Sequence, residues 1–271
     1  MATLDYVRRR FLPHIWCPGC GHGTLMATLV RAIEELAIPK DQIVMASGIG
    51  CSSRIVGYLD LHTLHTLHGR ALAFATGVKM AKPDLHVIVP MGDGDALAIG
   101  GNHFIHACAR NIDLTAIIMN NQTYGMTGGQ VSPMTGHGER ATTMPYGNLG
   151  QALDVVAVAR AAGATYVARS TVYHAPQLKK LLMKAIQHRG FSVVEVLTQC
   201  PTYYGRLNQR GDAVEMMTWF KEHAVPVGSD ARKDDPARFE VGEFVNVERP
   251  EYCASYDEIV TRLKPREDEH A

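Results

Sequence analysis

Leu85-His86-Val87-Ile88-Val89-Pro90-Met91-Gly92-Asp93-Gly94-Asp95 is the stretch on which the fold turns. Leu85 to Pro90 is apolar apart from His86, and a near-continuous apolar run suits a strand of a parallel sheet covered on both faces. A turn of small and acidic residues follows at once, and then Ala96 to Arg110 has the spacing of a crossover helix. Glycines let backbone N–H groups approach an anion, and a helix start adds partial positive charge. Gly92 to Asp95 is therefore a natural seat for a diphosphate. Asp93 would repel that ligand unless a cation stood between them; a hard divalent ion with oxygen ligands, most simply Mg2+, removes the conflict.

A second apolar strand, Leu114 to Asn120, runs into Asn121-Gln122-Thr123-Tyr124-Gly125, and Asn121 lies 28 residues after Asp93. One crossover unit fills that gap. Adjacent parallel strands end side by side at the carboxyl edge of a sheet, so Asp93 and the Asn121 side-chain oxygen can reach one ion, with the Thr123 carbonyl as third ligand. A lone Gly-Asp-Gly is as readily an ordinary turn. Paired with Asn-Asn at the next strand end, it resembles the thiamine diphosphate motif. The chain has no Gly-x-x-x-x-Gly-Lys-Ser/Thr loop and no Gly-x-Gly-x-x-Gly at a first strand, which counts against the nucleotide alternatives.

Outward from this core, helices are expected at Thr24 to Leu36, Gly69 to Ala81, Asp154 to Ala162 and Ala175 to His188. Strands are expected at Gln42 to Ala46, Thr165 to Ala168 and Phe191 to Leu197. The order is α/β throughout: a parallel sheet flanked by helices, with no internal repeat. Periodicity fades late in the chain. Residues 1–223 read as one domain and 224–271 as an irregular C-terminal tail that wraps a neighbour or the domain itself.

Twenty-seven basic and 27 acidic residues cancel, which argues against a nucleic acid or an anionic membrane as partner. No apolar run approaches the roughly 20 residues that cross a bilayer, and Arg8, Arg9 and Arg10 lead into no signal-peptide pattern. A soluble, cytoplasmic protein is expected. Six cysteines without a secretory signal then point to metal binding or burial rather than disulfides.

Cys17 and Cys20 share one tight turn in Trp16-Cys17-Pro18-Gly19-Cys20-Gly21-His22-Gly23, Cys51 follows a strand, and Cys200 follows the last apolar strand. Four thiolates suit zinc or an iron-sulfur cluster. Structural zinc more often pairs two Cys-x-x-Cys knuckles, and only one is present, so the cluster is favoured. Cys108 and Cys253 read as buried or incidental thiols. His22 reads first as a polar neighbour of the cluster, with a ligand role as the alternative.

Taken together, Cys-Pro-Gly-Cys-Gly-His-Gly, Gly-Ile-Gly-Cys-Ser-Ser-Arg, His-Gly-Arg-Ala, Gly-Asp-Gly-Asp and Asn-Asn-Gln-Thr-Tyr-Gly-Met-Thr-Gly-Gly-Gln resemble the beta subunits of 2-oxoacid:ferredoxin oxidoreductases from about Trp16 to Asn208, nearest the 2-oxoglutarate branch. The resemblance implies a thiamine-diphosphate-binding fold holding thiamine diphosphate, Mg2+ and one 4Fe-4S cluster. It implies oxidative decarboxylation of a 2-oxoacid, 2-oxoglutarate first, to acyl-CoA and CO2, or the reverse carboxylation, with electrons passed to ferredoxin. The implied partners are an alpha subunit, ferredoxin, coenzyme A and the 2-oxoacid, with room for additional small subunits. Position by position, Cys17, Cys20, Cys51 and Cys200 match the cluster ligands, and Asp93, Asn121 and the Thr123 carbonyl match the metal ligands. Gly92, Gly94, Asp95 and Tyr124 fall in the cofactor loops. Ile49, Gly50, Ser52 and His68 fall beside the cofactor's rings, His68 as the catalytic candidate, with Arg70 nearby. Some relatives carry Lys where this chain has Gly128, which leaves the contact to a distal carboxylate unassigned. Pyruvate, branched-chain and aryl 2-oxoacids are the alternative substrates. A non-catalytic electron-transfer or zinc-stabilised scaffold subunit is the alternative of another class, and a non-oxidative thiamine decarboxylase would need no cysteine set.

Overall fold

The computed structural model describes residues 2–235 and 237–263, so the last eight residues of the expected tail lie outside the described residues. Apolar runs become strands where both faces can be covered. The strands β1 (Ile43–Ser47), β2 (His62–His65), β3 (His86–Gly92) and β4 (Thr115–Asn120) are followed by the short hairpin β5 (Thr123–Tyr124) and β6 (Gln130–Val131). Then come β7 (Tyr166–Thr171), β8 (Ser192–Leu197), β9 (Ala224–Pro226) and β10 (Phe239–Asn246). Among the described residues the main sheet has eight strands in the order β2-β1-β3-β4-β8-β7-β10-β9. Every pairing is parallel except β10 with β7. All residues of β1, β4 and β7 are buried, as the unbroken apolar runs require.

The helices α1 (His22–Leu36), α2 (Ile55–Tyr58), α3 (Ala71–Ala81), α4 (Asp93–Leu97) and α5 (Gly101–Arg110) belong to the first half. In the second half lie α6 (Val155–Ala162), α7 (Ala175–Gln187), α8 (Ala213–His223), α9 (Ala231–Asp234) and α10 (Tyr252–Leu263). They cover both faces of the sheet. One core joins Leu25, Leu29 and Ile33 of α1 and Leu178 and Leu182 of α7 to Met45, Ile117 and Val194. The other joins Leu72 of α3, Phe104 of α5 and Val155 of α6 to the alternate strand residues Val44, Val89, Ile118 and Val193. This alternation is the period of two by which a strand feeds opposite faces.

Two expectations need correction. The crossover helix expected from Ala96 to Arg110 is two helices, broken between Leu97 and Gly101. A Cβ on Gly69 would lie 2.5 Å from Ile99 Cγ2 and 2.7 Å from the Gly100 nitrogen, so the break admits the His68-Gly69 turn. The C-terminal segment is not irregular: it wraps onto the domain itself, β10 and β9 extending the sheet beyond β7 and α10 following. Its weak periodicity reflects an edge, since most β10 residues are only half-buried. Among the described residues no helix is long and apolar enough to cross a membrane.

Chain direction across the sheet diverges between β1 and β3. After β1 the next strand is added on the outer side, whereas β4 follows β3 on the other. Loops leaving the carboxyl ends of such a pair open a crevice, the ordinary ligand position in α/β sheets.

Candidate functional site

That crevice is lined by Ile49, Gly50, Cys51 and Ser52 after β1 and by Gly92, Asp93, Gly94 and Asp95 after β3. Asn121, Thr123, Tyr124, Gly125 and Met126 after β4, with His68 and His22, complete most of its wall. All eleven residues expected at the cofactor, from Ile49 to Tyr124, line this one cavity. Arg70 is not among its lining residues; its guanidinium donates to the Ile99 carbonyl at 3.1 Å.

Asp93 is 3% exposed. Its Oδ1 accepts the Gly94 N–H at 2.9 Å and its Oδ2 the Ser132 hydroxyl at 2.8 Å. Burial pushes its pKa up to about 7, against the pull of those hydrogen bonds. Asn121 Oδ1 accepts the Thr123 N–H at 3.4 Å, and Thr123 Oγ1 donates to the Gln130 carbonyl at 3.1 Å, fixing the hairpin. Gly94 must be glycine: a Cβ there would lie 2.2 Å from the Tyr124 ring, whose hydroxyl donates to the Gly94 carbonyl at 3.3 Å.

Asp95 lines the crevice and also ties its loops together. Its Oδ1 takes the Gly69 N–H and a His68 Nδ1 contact, each at 2.7 Å, and the Ile49 N–H at 3.3 Å. One buried carboxylate thus ties the loop after β1 to the turn before α3 and aims the His68 ring, which meets Tyr124 edge-on at 6.0 Å. Asn120, the first residue of the Asn-Asn pair, is structural: its Nδ2 donates to Glu195 at 2.8 Å.

The four cysteines come from three loops stitched together by hydrogen bonds. Gln199 Nε2 donates to the Gly19 carbonyl at 2.9 Å, the Gly21 N–H to the Gln199 carbonyl at 3.3 Å, and Trp16 Nε1 to the Cys51 carbonyl at 2.6 Å. Burial pushes the Cys20 thiol up to about 12; the His22 N–H pulls it partway back, and the charges of Cys200, Cys51 and Cys17 add to the rise. Cys51 is pushed up to about 11 by burial and then by Cys200 and Cys17. The thiols therefore feel one another. Among the described residues, however, no three His, Cys, Asp or Glu donors surround a point that one ion could fill. Cys108 and Cys253 are fully buried in the other core, away from this group.

Gly125 marks the junction of the two sites. A Cβ built on it would lie 3.5 Å from Cys51 Sγ, 3.8 Å from Cys200 Sγ and 3.9 Å from Asn121 Nδ2. Sequence reading missed Ser132, Trp16 and Gly125 as contributors. Nothing in their local pattern marks them, because each acts through a neighbour brought close only by folding.

A roomier hollow, about 630 Å³, lies between α8 and residues Thr198 and Gln199, floored by Met216, Trp219 and Phe220. Its acids are surface groups or already paired, as Glu139 is with Arg210 at 2.8 Å. The convergence of chemistry favours the crevice, not the larger volume.

Residues 44–196 match the family model of the thiamine pyrophosphate enzyme C-terminal TPP binding domain. The chain is 50% identical over 265 residues to 2-oxoglutarate synthase subunit KorB of Methanocaldococcus jannaschii, covering 97% of this chain and 98% of that protein. It is 45% identical over 190 residues to the 2-oxoacid:ferredoxin oxidoreductase subunit beta of Saccharolobus solfataricus, 69% of this chain and 62% of the relative. The solved 2-oxoglutarate:ferredoxin oxidoreductase of Magnetococcus marinus, with 2-oxoglutarate, coenzyme A and succinyl-CoA bound, superposes with a TM-score of 0.89 at 32% identity. That superposition covers all of this chain and 93% of the other.

Proposed function

The chain belongs to the family of 2-oxoacid:ferredoxin oxidoreductase beta subunits, and from that premise we propose that it carries out oxidative decarboxylation of 2-oxoglutarate, or the reverse carboxylation, with an alpha subunit, coenzyme A and ferredoxin. Within it, Asp93, Asn121 and the Thr123 carbonyl hold Mg2+ against the diphosphate, and Cys17, Cys20, Cys51 and Cys200 hold a 4Fe-4S cluster. The observation that carries the reading is Gly125, in reach of two of the thiols and of the Asn121 amide at once.

The donor sets fit these groups. A buried carboxylate whose pKa has risen to about 7 is one that a divalent cation would return to its ionised form. Four thiolates around one zinc at about 2.3 Å would place their sulfurs roughly 3.8 Å apart. Four cysteines brought by folding from three hydrogen-bonded loops supply the thiolate count that a 4Fe-4S cluster takes.

When bound, thiamine diphosphate supplies the electron sink for decarboxylation. The chain's own groups position it. Gly94 and Tyr124 shape the diphosphate seat, and Asp95 holds the His68 imidazole toward the cavity. Asp93 and Asp95 are the acids lining the cavity, and the resemblance to the family implies that the carboxylate acting on the cofactor's aminopyrimidine ring comes from the alpha subunit. The cavity itself measures about 130 Å³, below the roughly 300 Å³ at which small-molecule sites begin. Ile49 and Met126 on its wall and Leu67 beside it are 43%, 44% and 67% exposed, an apolar rim that an alpha subunit would cover. Gly128, at φ +117°, sits in a conformation that a Lys would rarely adopt, so this chain meets a distal carboxylate elsewhere.

Asp93→Ala tests the metal role. Thiamine diphosphate affinity, measured calorimetrically with Mg2+ on the assembled enzyme, should fall by more than about 100-fold, beyond the cost of losing an outer-shell partner. Unchanged affinity in a folded variant refutes the assignment.

A further inference from the structure

His22 is the first residue of α1 and is completely buried, yet neither Nδ1 nor Nε2 has a hydrogen-bond partner. A buried polar group left unpaired costs about 1–3 kcal/mol, and native structures hold few of them. Its partner therefore arrives with a bound group. The surroundings narrow the choice. The Trp16 indole closes one side, edge-on at 5.8 Å, and is itself tied to the Cys51 carbonyl. The His22 backbone N–H is directed at the Cys20 thiol, and His22 lines the same cavity as Cys51. His22 thus sits two residues after Cys20 in the sequence and shares a crevice with Cys51.

We propose that His22 donates a ring N–H to a sulfur of the iron-sulfur centre held by Cys17, Cys20, Cys51 and Cys200, and that this bond raises the centre's reduction potential. Either ring tautomer offers one N–H, and sulfur carrying cluster charge would accept it. The bond strengthens when the centre gains an electron, so it favours the reduced form. The four thiols already complete a ligand set, which leaves the imidazole a hydrogen-bonding role rather than a coordinating one. This inference rests on the cluster reading above.

The test is a redox titration of the anaerobically reconstituted alpha–beta enzyme, followed by electron paramagnetic resonance, for the wild type, His22→Leu and His22→Gln. His22→Leu should shift the reduction equilibrium about tenfold toward the oxidised form, about 59 mV for one electron. His22→Gln, which keeps an N–H donor, should recover most of the shift. In protein labelled with 15N-histidine, the wild type should show a weak nitrogen coupling to the reduced centre that His14→Phe retains. An unchanged potential in iron-replete His22→Leu overturns the inference, as does a variant that loses only thiamine diphosphate affinity, since the ring would then serve the crevice. If His22→Leu fails to assemble its centre, the labelled wild type decides: a coupling supports the bond and its absence overturns it. Wild-type protein that binds zinc in place of iron overturns the inference together with the reading beneath it.

Discussion

Gly94 and Tyr124 meet in the crevice with no space for a methyl group. Gly94→Ala should destabilise the chain by about 1–3 kcal/mol, the usual cost of overpacking, and weaken thiamine diphosphate binding. Tyr124→Leu in the same chain should restore most of the stability in thermal melts; no recovery would show that the ring is not the obstacle. At this scale the sequence was most legible where chemistry dictates residue type. Asp93, Asn121 and the four cysteines stand out because few other residues hold Mg2+ or a cluster. Asp95 was legible only as a member of the loop. Its bonds to His68, Gly69 and Ile49 span 26 to 46 residues, and no local pattern announces them.

The elements hold these residues in place through two buried ionic groups. Arg169 of β7 pairs with Glu195 of β8 at 2.5 Å and with Asp154, the N-cap of α6, at 2.7 Å, and Glu195 also accepts from Asn120. Glu195→Ala leaves a guanidinium that is 10% exposed with Asp154 as its remaining acid partner and should cost about 1–3 kcal/mol in chemical denaturation. A loss below about 1 kcal/mol would remove this network from the account. Glu251 precedes α10 and accepts the N–H groups of Cys253, Ala254 and Asp113. Burial raises its pKa, yet these N–H groups outweigh that and hold it below the ordinary carboxylate range. The stabilisation is thus present above the ordinary Glu value of about 4.3 and is lost as pH falls through the lower folded value. Hydrogen exchange in α10 should accelerate over that acid window, and Glu251→Gln should abolish the acid dependence; an identical pH profile would contradict the anchor. The C-terminal strands escaped sequence reading because β9 and β10 lie at a sheet edge, where half-buried residues blur the apolar alternation. The break between α4 and α5 escaped it because the cause, the approach of Gly69, is a tertiary contact.

For the whole molecule, one sheet edge gathers two chemistries. The divergence between β1 and β3 opens the crevice, β4 brings Asn121 and Thr123 beside it, and the loop after β8 returns Cys200 to the Cys17 turn. The parallel order was readable because strands buried on both faces are continuously apolar, whereas the partner surface was not, since exposed apolar residues acquire meaning only once the cavity mouth is known. The most direct test is to purify the alpha–beta enzyme anaerobically and add 2-oxoglutarate and coenzyme A while recording its electron paramagnetic resonance spectrum. The signal of a reduced 4Fe-4S centre should appear only with the substrate, and Asp93→Ala should lose it while keeping its iron. A substrate-dependent reaction with zinc at the cysteines, or an iron centre that stays oxidised while 2-oxoglutarate is consumed, would contradict it.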